Sequence, residues 1–332
     1  MDEIARWVSQ ELASWDGVTI AGDDLRRLQR QACSASTTMR ILHIESGQVA
    51  IEPHHDDQST APTSRIIVSR AQLYRSTIER LIREHDLAGS CELLVQLGDG
   101  SMDYRHMPSF AFQKVRGSPV ILLPDVDLLS MDLDDPSLVD ELSFAEKARH
   151  AIFVGSTTGG NIDAEVVLSG KHERLRAALS FRDAPGVTFE LPAIAQCDTA
   201  ETERMIAELG ITGRRRSWRE QFGSRYLISI DGNGATCSRV AIALRSHSAL
   251  VKYNSAHMLY YFHGLHPWVH YIPVRLDVQL LELVDNADVT FERDRRIAIH
   301  GFDFAQCCLS RAAIDRYFVG VLRHYMTAFG NP

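Results

Sequence analysis

Residues 225–253 read RYLISIDGNGATCSRVAIALRSHSALVKY, and residues 265–274 read LHPWVHYIPV. The first segment decides the fold. Tyr226 to Ile230 is a short apolar run rich in strand formers, and Asp231, Gly232, Asn233 and Gly234 interrupt it. Ser238 to Ser246 carries Val240, Ile242, Ala243 and Leu244 at helix-like spacing, and Ala249 to Val251 reads as the next strand. The unit is strand, glycine-rich turn, helix, strand. Such a turn lets backbone N–H groups approach a phosphate, and the helix N-terminus adds a favourable partial charge. Arg239 falls in the first turn of that helix, within reach of a diphosphate. A glycine turn alone is equally what a tight strand-to-helix connection needs for its backbone angles.

The two segments together are more specific. The apolar strand, the DGNG loop, Arg239, the Ser246-His247-Ser248 turn, Ala249–Val251, the aromatic run Tyr260-Tyr261-Phe262 and Pro267–Val274 follow one another in order. This arrangement resembles family 90 of the glycosyltransferases, the capsule-associated and lipopolysaccharide-modifying group related to protein O-glucosyltransferases. The resemblance is strong over about fifty residues and looser from Thr38 onward. It implies a GT-B type α/β fold, with two Rossmann-like domains facing a cleft.

Composition fits a globular α/β protein. The chain has 332 residues, 45% hydrophobic and 23% charged, long enough for two cores. A net charge of −8 argues against a nucleic-acid binder. Arg214-Arg215-Arg216 and Arg293 to Arg296 read as solvated faces, with contact to an anionic lipid-linked glycan as the second reading. No stretch reaches the ~18 apolar residues that span a bilayer. The acidic start, MDEIARWVSQELASW, lacks the features of a signal peptide. The six cysteines follow no framework spacing and read as free thiols. The expectation is a cytoplasmic protein, in peripheral contact with the inner membrane at most.

Along the chain, helices are expected at 2–15, 22–33 and 69–85, and a hairpin over Met39–Ile51 with Ser46-Gly47 as its turn. The segment His54–Ser64 reads as a polar loop, and Leu93–Leu97 as a strand ending at Gly98-Asp99-Gly100. Further strands are expected at Phe110–Phe112, Val120–Leu123, Ala151–Val154 and Val187–Leu191. Further helices are expected at Leu138–His150, Glu173–Leu179, Thr199–Leu209, Ser217–Phe222, Leu276–Asn286 and Ala305–Phe329. This alternation is α/β. The domains are read as 1–135 on the acceptor side, 136–305 for the nucleotide-sugar, and 306–332 as a C-terminal helix returning to the first.

The turns after Leu97, Val154 and Ile230 each follow an expected strand, where ligands of open α/β sheets bind. A nucleotide-sugar transferase needs fixed donors for its diphosphate leaving group. Candidates are Gly155, Ser156 and Thr157, then Asp231, Gly232, Asn233, Gly234, Ala235 and Arg239. Relatives often carry an arginine where this chain has Thr157. The resemblance makes Asp99 the base that accepts the acceptor hydroxyl's proton, with Asp103 as the alternative. A Gly-Asp-Gly turn gives Asp99 a purely local reading as well. His270 and Tyr271 lie in the best-matching motif and are candidate nucleotide contacts; a buried, backbone-bonded His270 is the alternative. Tyr253, Tyr260 and Tyr261 read as stacking residues or as core. His257, His263, His266 and His270 lack metal-site spacing, and neither metal nor cofactor is expected. Asp125-Val126-Asp127 and Asp132-Leu133-Asp134 read as surface acid.

The reading is an inverting glycosyltransferase. It moves glucose, xylose or galactose from a UDP-sugar to a hydroxyl of lipopolysaccharide, capsule or a related glycan. The alternative is a degenerate member that binds nucleotide or glycan without catalysis. A Rossmann oxidoreductase would need a GxGxxG turn with a following acid, which the sequence lacks.

Overall fold

A computed structural model of the chain describes residues 2–100 and 104–330. The fold is mixed α/β, with two compact units. One comprises residues up to 131, 256–264 and those from 310 onward; the other comprises 132–255 and 265–309.

The first unit opens with helices α1 (Glu3–Leu12) and α2 (Gly22–Ser34). Strands β1 (Met39–Glu45) and β2 (Gln48–Ile51), helix α3 (Pro62–His85) and β3 (Cys91–Gln96) follow. The short strands β4 (Phe110–Ala111), β5 (Lys114–Val115) and β6 (Ile121–Leu122) lead into α4 (Val126–Ser130). Ser46 and Gly47 have φ of 50° and 80°, the paired left-handed geometry of a two-residue hairpin, so Leu42 lies opposite Ile51. The sheet order is β2-β1-β3-β4-β6, antiparallel through β3 and parallel beyond it. Leu93, Leu94 and Val95 on β3 are fully buried. On α1 the buried residues Ile4, Trp7, Val8, Glu11 and Leu12 form one helical stripe.

In the second unit, β7 (Ala148–Ser156), α5 (Ala164–Ser169), α6 (Glu173–Phe181), β8 (Val187–Ala193), α7 (Ala200–Glu208) and α8 (Trp218–Gln221) precede β9 (Ser224–Ser229), α9 (Cys237–Leu244) and β10 (Ala249–Tyr253). The chain then gives β11 (His257–Met258) to the first unit, where it pairs with β5. It returns with β12 (Ile272–Val274), α10 (Asp277–Asp285) and α11 (Phe291–Cys308). The five strands are all parallel, in the order β12-β10-β9-β7-β8. Phe153, Phe181, Phe189, Tyr226 and Ile228 are among the residues of its core. Helix α12 (Arg311–Phe329) closes the first unit, with Tyr317 and Tyr325 fully buried.

Three expectations are corrected. The helix read at Leu138–His150 is absent: a short 3-10 turn ends at Leu138, and β7 begins at Ala148. Between them Asp140 and Lys147 are buried as an ion pair at 2.7 Å, and Asp140 also accepts from the His247 N–H at 2.8 Å. Tertiary polar contacts thus override a helical pattern. The polar loop at His54–Ser64 contains a 3-10 turn, His55–Gln58, and the start of α3, where Pro62 occupies the first turn. The helix read at Ala305–Phe329 is two helices, because Ser310 caps α12 by accepting from the Ala313 N–H.

Asp125 corrects the surface-acid reading. It is fully buried, caps α4 through the Leu128 N–H at 2.9 Å, and leaves Oδ2 without a partner. Burial pushes its carboxyl up to about 7. A folded-state value above the unfolded one stabilises at low pH, and that contribution is lost as pH rises through about 7. Asp125→Asn keeps the capping oxygen and cannot ionise. Its melting temperature relative to wild type is expected to climb between pH 5 and pH 8; parallel curves would show that Asp125 carries no such cost.

Candidate functional site

The second unit's sheet places the turns after β7 and β9 side by side at the carboxyl ends of adjacent strands. Both are built around α6. His172 caps this helix, its Nδ1 accepting from the Leu175 N–H at 3.3 Å, and thereby fixes the first turn that carries Arg174. The Arg174 side chain is buried, with 6% of the residue exposed. Its Nη1 donates to Ser156 O at 3.0 Å and Thr158 Oγ1 at 2.8 Å in the turn after β7. Its Nη2 and Nε donate to Ile230 O at 3.1 Å and Asp231 O at 2.9 Å in the turn after β9. Burial lowers the guanidinium to about 10, with the charges of Asp231 and Glu173 opposing.

Arg239, the arginine expected at the start of α9, lies just behind. Its guanidinium stacks between Phe153, at 4.5 Å, and Trp218, at 4.8 Å. It donates to Val154 O and, at 3.2 Å, to Gln221 Oε1. Burial and then the charge of Arg174 depress it to about 9, so it remains a cation at neutral pH. Arg174 also lies over Phe153, at 5.3 Å. Neither arginine has a carboxylate within ion-pair distance among the described residues. Two positive charges, one on a buried and one on a half-buried arginine, therefore flank one phenyl ring beneath the turns. Gly155 is required there, because a Cβ would come within 2.7 Å of the Phe153 ring.

The expected residues divide into two groups. Ser156, Asp231 and Gly232 meet at Arg174, and Gly155 and Asn233 to Ala235 adjoin them in the same two turns. Ser156 Oγ lies 3.0 Å from Thr158 Oγ1, and Asp231 is held by Ser255 at the end of β10. Thr236 does not cap α9; its hydroxyl lies 2.5 Å from Ser229 Oγ. Thr157 turns away, fully buried, with Oγ1 bridging the backbone N–H and C=O of residue 195 at 2.8 Å each.

His270 and Tyr271 lie at the other end of the sheet. They precede β12, whose Ile272 pairs with Val251, whereas Asp231 lies past the end of β9. Counting along the paired strands, Tyr271 is roughly 13 Å from the level of Asp231. His270 is neutral, lowered to about 4 by burial and then by His266 and His300, and its ring lies beside Phe304. Its Nδ1 accepts from the His266 N–H at 3.0 Å. Tyr253 donates to Asp277 at 2.8 Å, while Tyr260 and Tyr261 are buried in the first unit. These tyrosines are core.

In the first unit, Asp99 stands after β3 with its side chain 41% exposed. Arg70 pairs with it at 2.8 Å and also donates to Leu97 O, while Gln113 donates to the Asp99 backbone carbonyl at 2.6 Å. Asp103 lies outside the described residues. Among the described residues no group of three or more His, Cys, Asp or Glu is placed to hold a metal ion, and no helix is long and apolar enough to cross a membrane.

Arg174, Phe153 and Trp218 were missed from sequence. The helix that carries Arg174 was legible, but an arginine two residues after a histidine gives no cue to point inward, since most arginines are exposed.

The family model described as Glycosyl transferase family 90 matches residues 105–329, which includes both turns and begins after Asp99. Protein O-glucosyltransferase 2 of Danio rerio is 28% identical over 155 residues, 43% of this chain and 31% of that protein. The match thus spans about a third of that relative. Among solved structures, the C-terminal domain of a glycosyl transferase group 1 family protein (LpcC) from Francisella tularensis aligns at 15% identity and TM-score 0.29, covering 49% of this chain and 87% of that one. The GtfA/B complex aligns at 13% identity and TM-score 0.32, covering 56% and 38%. At such scores the structural likeness adds nothing to the assignment.

Proposed function

Because the chain belongs to glycosyl transferase family 90, we propose that it transfers a sugar from a UDP-sugar to a glycan hydroxyl with inversion, on a GT-B type fold. The observation that carries this reading is the pair of guanidiniums of the buried Arg174 and the half-buried Arg239, which have carbonyl, hydroxyl, amide and aromatic partners and, among the described residues, no carboxylate within ion-pair distance. Buried charges are ordinarily paired. A diphosphate seated over residues 155–158 and 231–235 supplies the missing negative charge. In the transfer step the acceptor oxygen bonds to the anomeric carbon as the bond from that carbon to the diphosphate oxygen breaks. The Arg239 cation stabilises the charge that develops on the leaving group, which the turns held by Arg174 seat, and Asp99 takes the hydroxyl proton. Glucose, xylose and galactose are the donor sugars proposed, with lipopolysaccharide, capsule or a related glycan as acceptor. No metal is required in this scheme.

Thermal melting with UDP, GDP, ADP and a panel of UDP-sugars, with and without EDTA, tests it. A ligand at about a hundred times its Kd adds ~2.7 kcal/mol of stability. The expected result is a UDP-selective rise in Tm that survives EDTA. No rise with any nucleotide would overturn the proposal.

A further inference from the structure

The geometry points to Arg174 as a positioning residue that holds the two turns at one fixed spacing and acts on the donor only through them. This rests on reading the turns as the diphosphate site. A guanidinium has five N–H donors in a rigid plane. Four are engaged on the protein: two reach Ser156 O and Thr158 Oγ1 in one turn, and two reach Ile230 O and Asp231 O in the other. Each turn thus receives one edge of the same fork, and one donor is left over. The second turn sits directly against the group, since a Cβ at Gly232 would lie 2.8 Å from both Arg174 Nη2 and Thr158 Oγ1. The width of a guanidinium therefore sets the separation of the turns, and glycine at 232 permits it. The backbone under Arg174 is fixed independently by the His172 cap. Lysine keeps the charge but places its three donors on a single nitrogen, which cannot span the two edges.

The experiment compares Arg174→Lys, Arg174→Gln, Gly232→Ala and the Arg174→Lys/Gly232→Ala double variant. Hydrogen exchange of the backbone amides at 156–160 and 230–235 is followed without nucleotide. Kd for UDP is then measured by calorimetry.

Both Arg174 variants are expected to speed exchange in the two turns together. Both are expected to weaken UDP binding by similar factors, about tenfold or more, as misplaced binding groups do. Gly232→Ala should reproduce this from the other side of the contact, and the double variant should be no weaker than its worse parent, because residues in contact do not act additively.

Any of these results would overturn the inference: faster exchange in one turn only or in neither, additive losses in the double variant, or a lysine variant that binds UDP like wild type while the glutamine variant does not. The last would make Arg174 a direct charge contact. A lower Tm with unchanged Kd would make it merely structural. If the wild-type protein binds no nucleoside diphosphate, the proposed function falls, and the exchange data still decide whether Arg174 couples the turns.

Discussion

Asp99→Asn is expected to lower kcat and kcat/KM together by about 10²–10⁴-fold, the range that general-base catalysis contributes, and to leave UDP affinity unchanged. The substitution is nearly isosteric. Asn Oδ1 can still accept from Arg70 Nη1, and the Gln113 contact goes to the backbone carbonyl, so the turn retains its geometry. What disappears is the anionic oxygen that would receive the hydroxyl proton. A melting curve and a UDP titration on the same sample separate loss of chemistry from loss of fold or donor binding. Unchanged turnover would remove Asp99 as the base, and Asp103→Asn would then be assayed in its place. A fall in UDP affinity equal to the fall in turnover would also count against the assignment, since the base acts on the acceptor.

Arg239→Met should separate binding from stability in an unusual direction. Methionine keeps an apolar side chain between Phe153 and Trp218 but carries no charge. Charge-assisted hydrogen bonds contribute about 1.5–3 kcal/mol, so losing the cation near a diphosphate should weaken UDP binding by roughly one to two orders of magnitude. The unliganded protein, by contrast, should melt no lower than wild type. The Arg239 guanidinium is depressed to about 9 by burial and by the neighbouring charge of Arg174. A cationic group whose folded-state value lies below its unfolded one destabilises the fold in full below about 9, and this cost is relieved only as pH rises above it. At neutral pH the substitution removes that cost, while the lost bonds to Val154 O and Gln221 act against it. Unaltered UDP affinity would reduce Arg239 to a stacking residue. A large drop in Tm would show that the charge is compensated within the protein.

The contrast between these arginines shows where the sequence stopped being informative. Arg239 could be placed at the start of a helix after a glycine turn, because the apolar run from Tyr226 and the period of Val240 to Leu244 fix that unit locally. Arg174 could be placed on a helix but not aimed. Its role depends on the parallel pairing of β7 with β9, strands separated by nearly seventy residues of chain. The same limit applies to Leu138–His150, whose helical pattern gives way to the buried Asp140–Lys147 pair. It applies to His270 as well: the motif is evident in sequence, but only the register of β12 against β10 reveals that it precedes the strand rather than following it.

By itself, then, the sequence determined the α/β class, the hairpin at Ser46-Gly47, the two glycine turns and the family resemblance. Each depends on residues close together in the chain, where alternation, helical period and left-handed backbone angles act directly. The tertiary structure alone decided which side chains those turns enclose, that residues 256–264 complete the first unit, and that Arg174 and Arg239 have no carboxylate within ion-pair distance among the described residues. Burial, hydrogen-bond partners and charge balance are properties of segments brought together from distant parts of the chain, and a local pattern contains no measure of them.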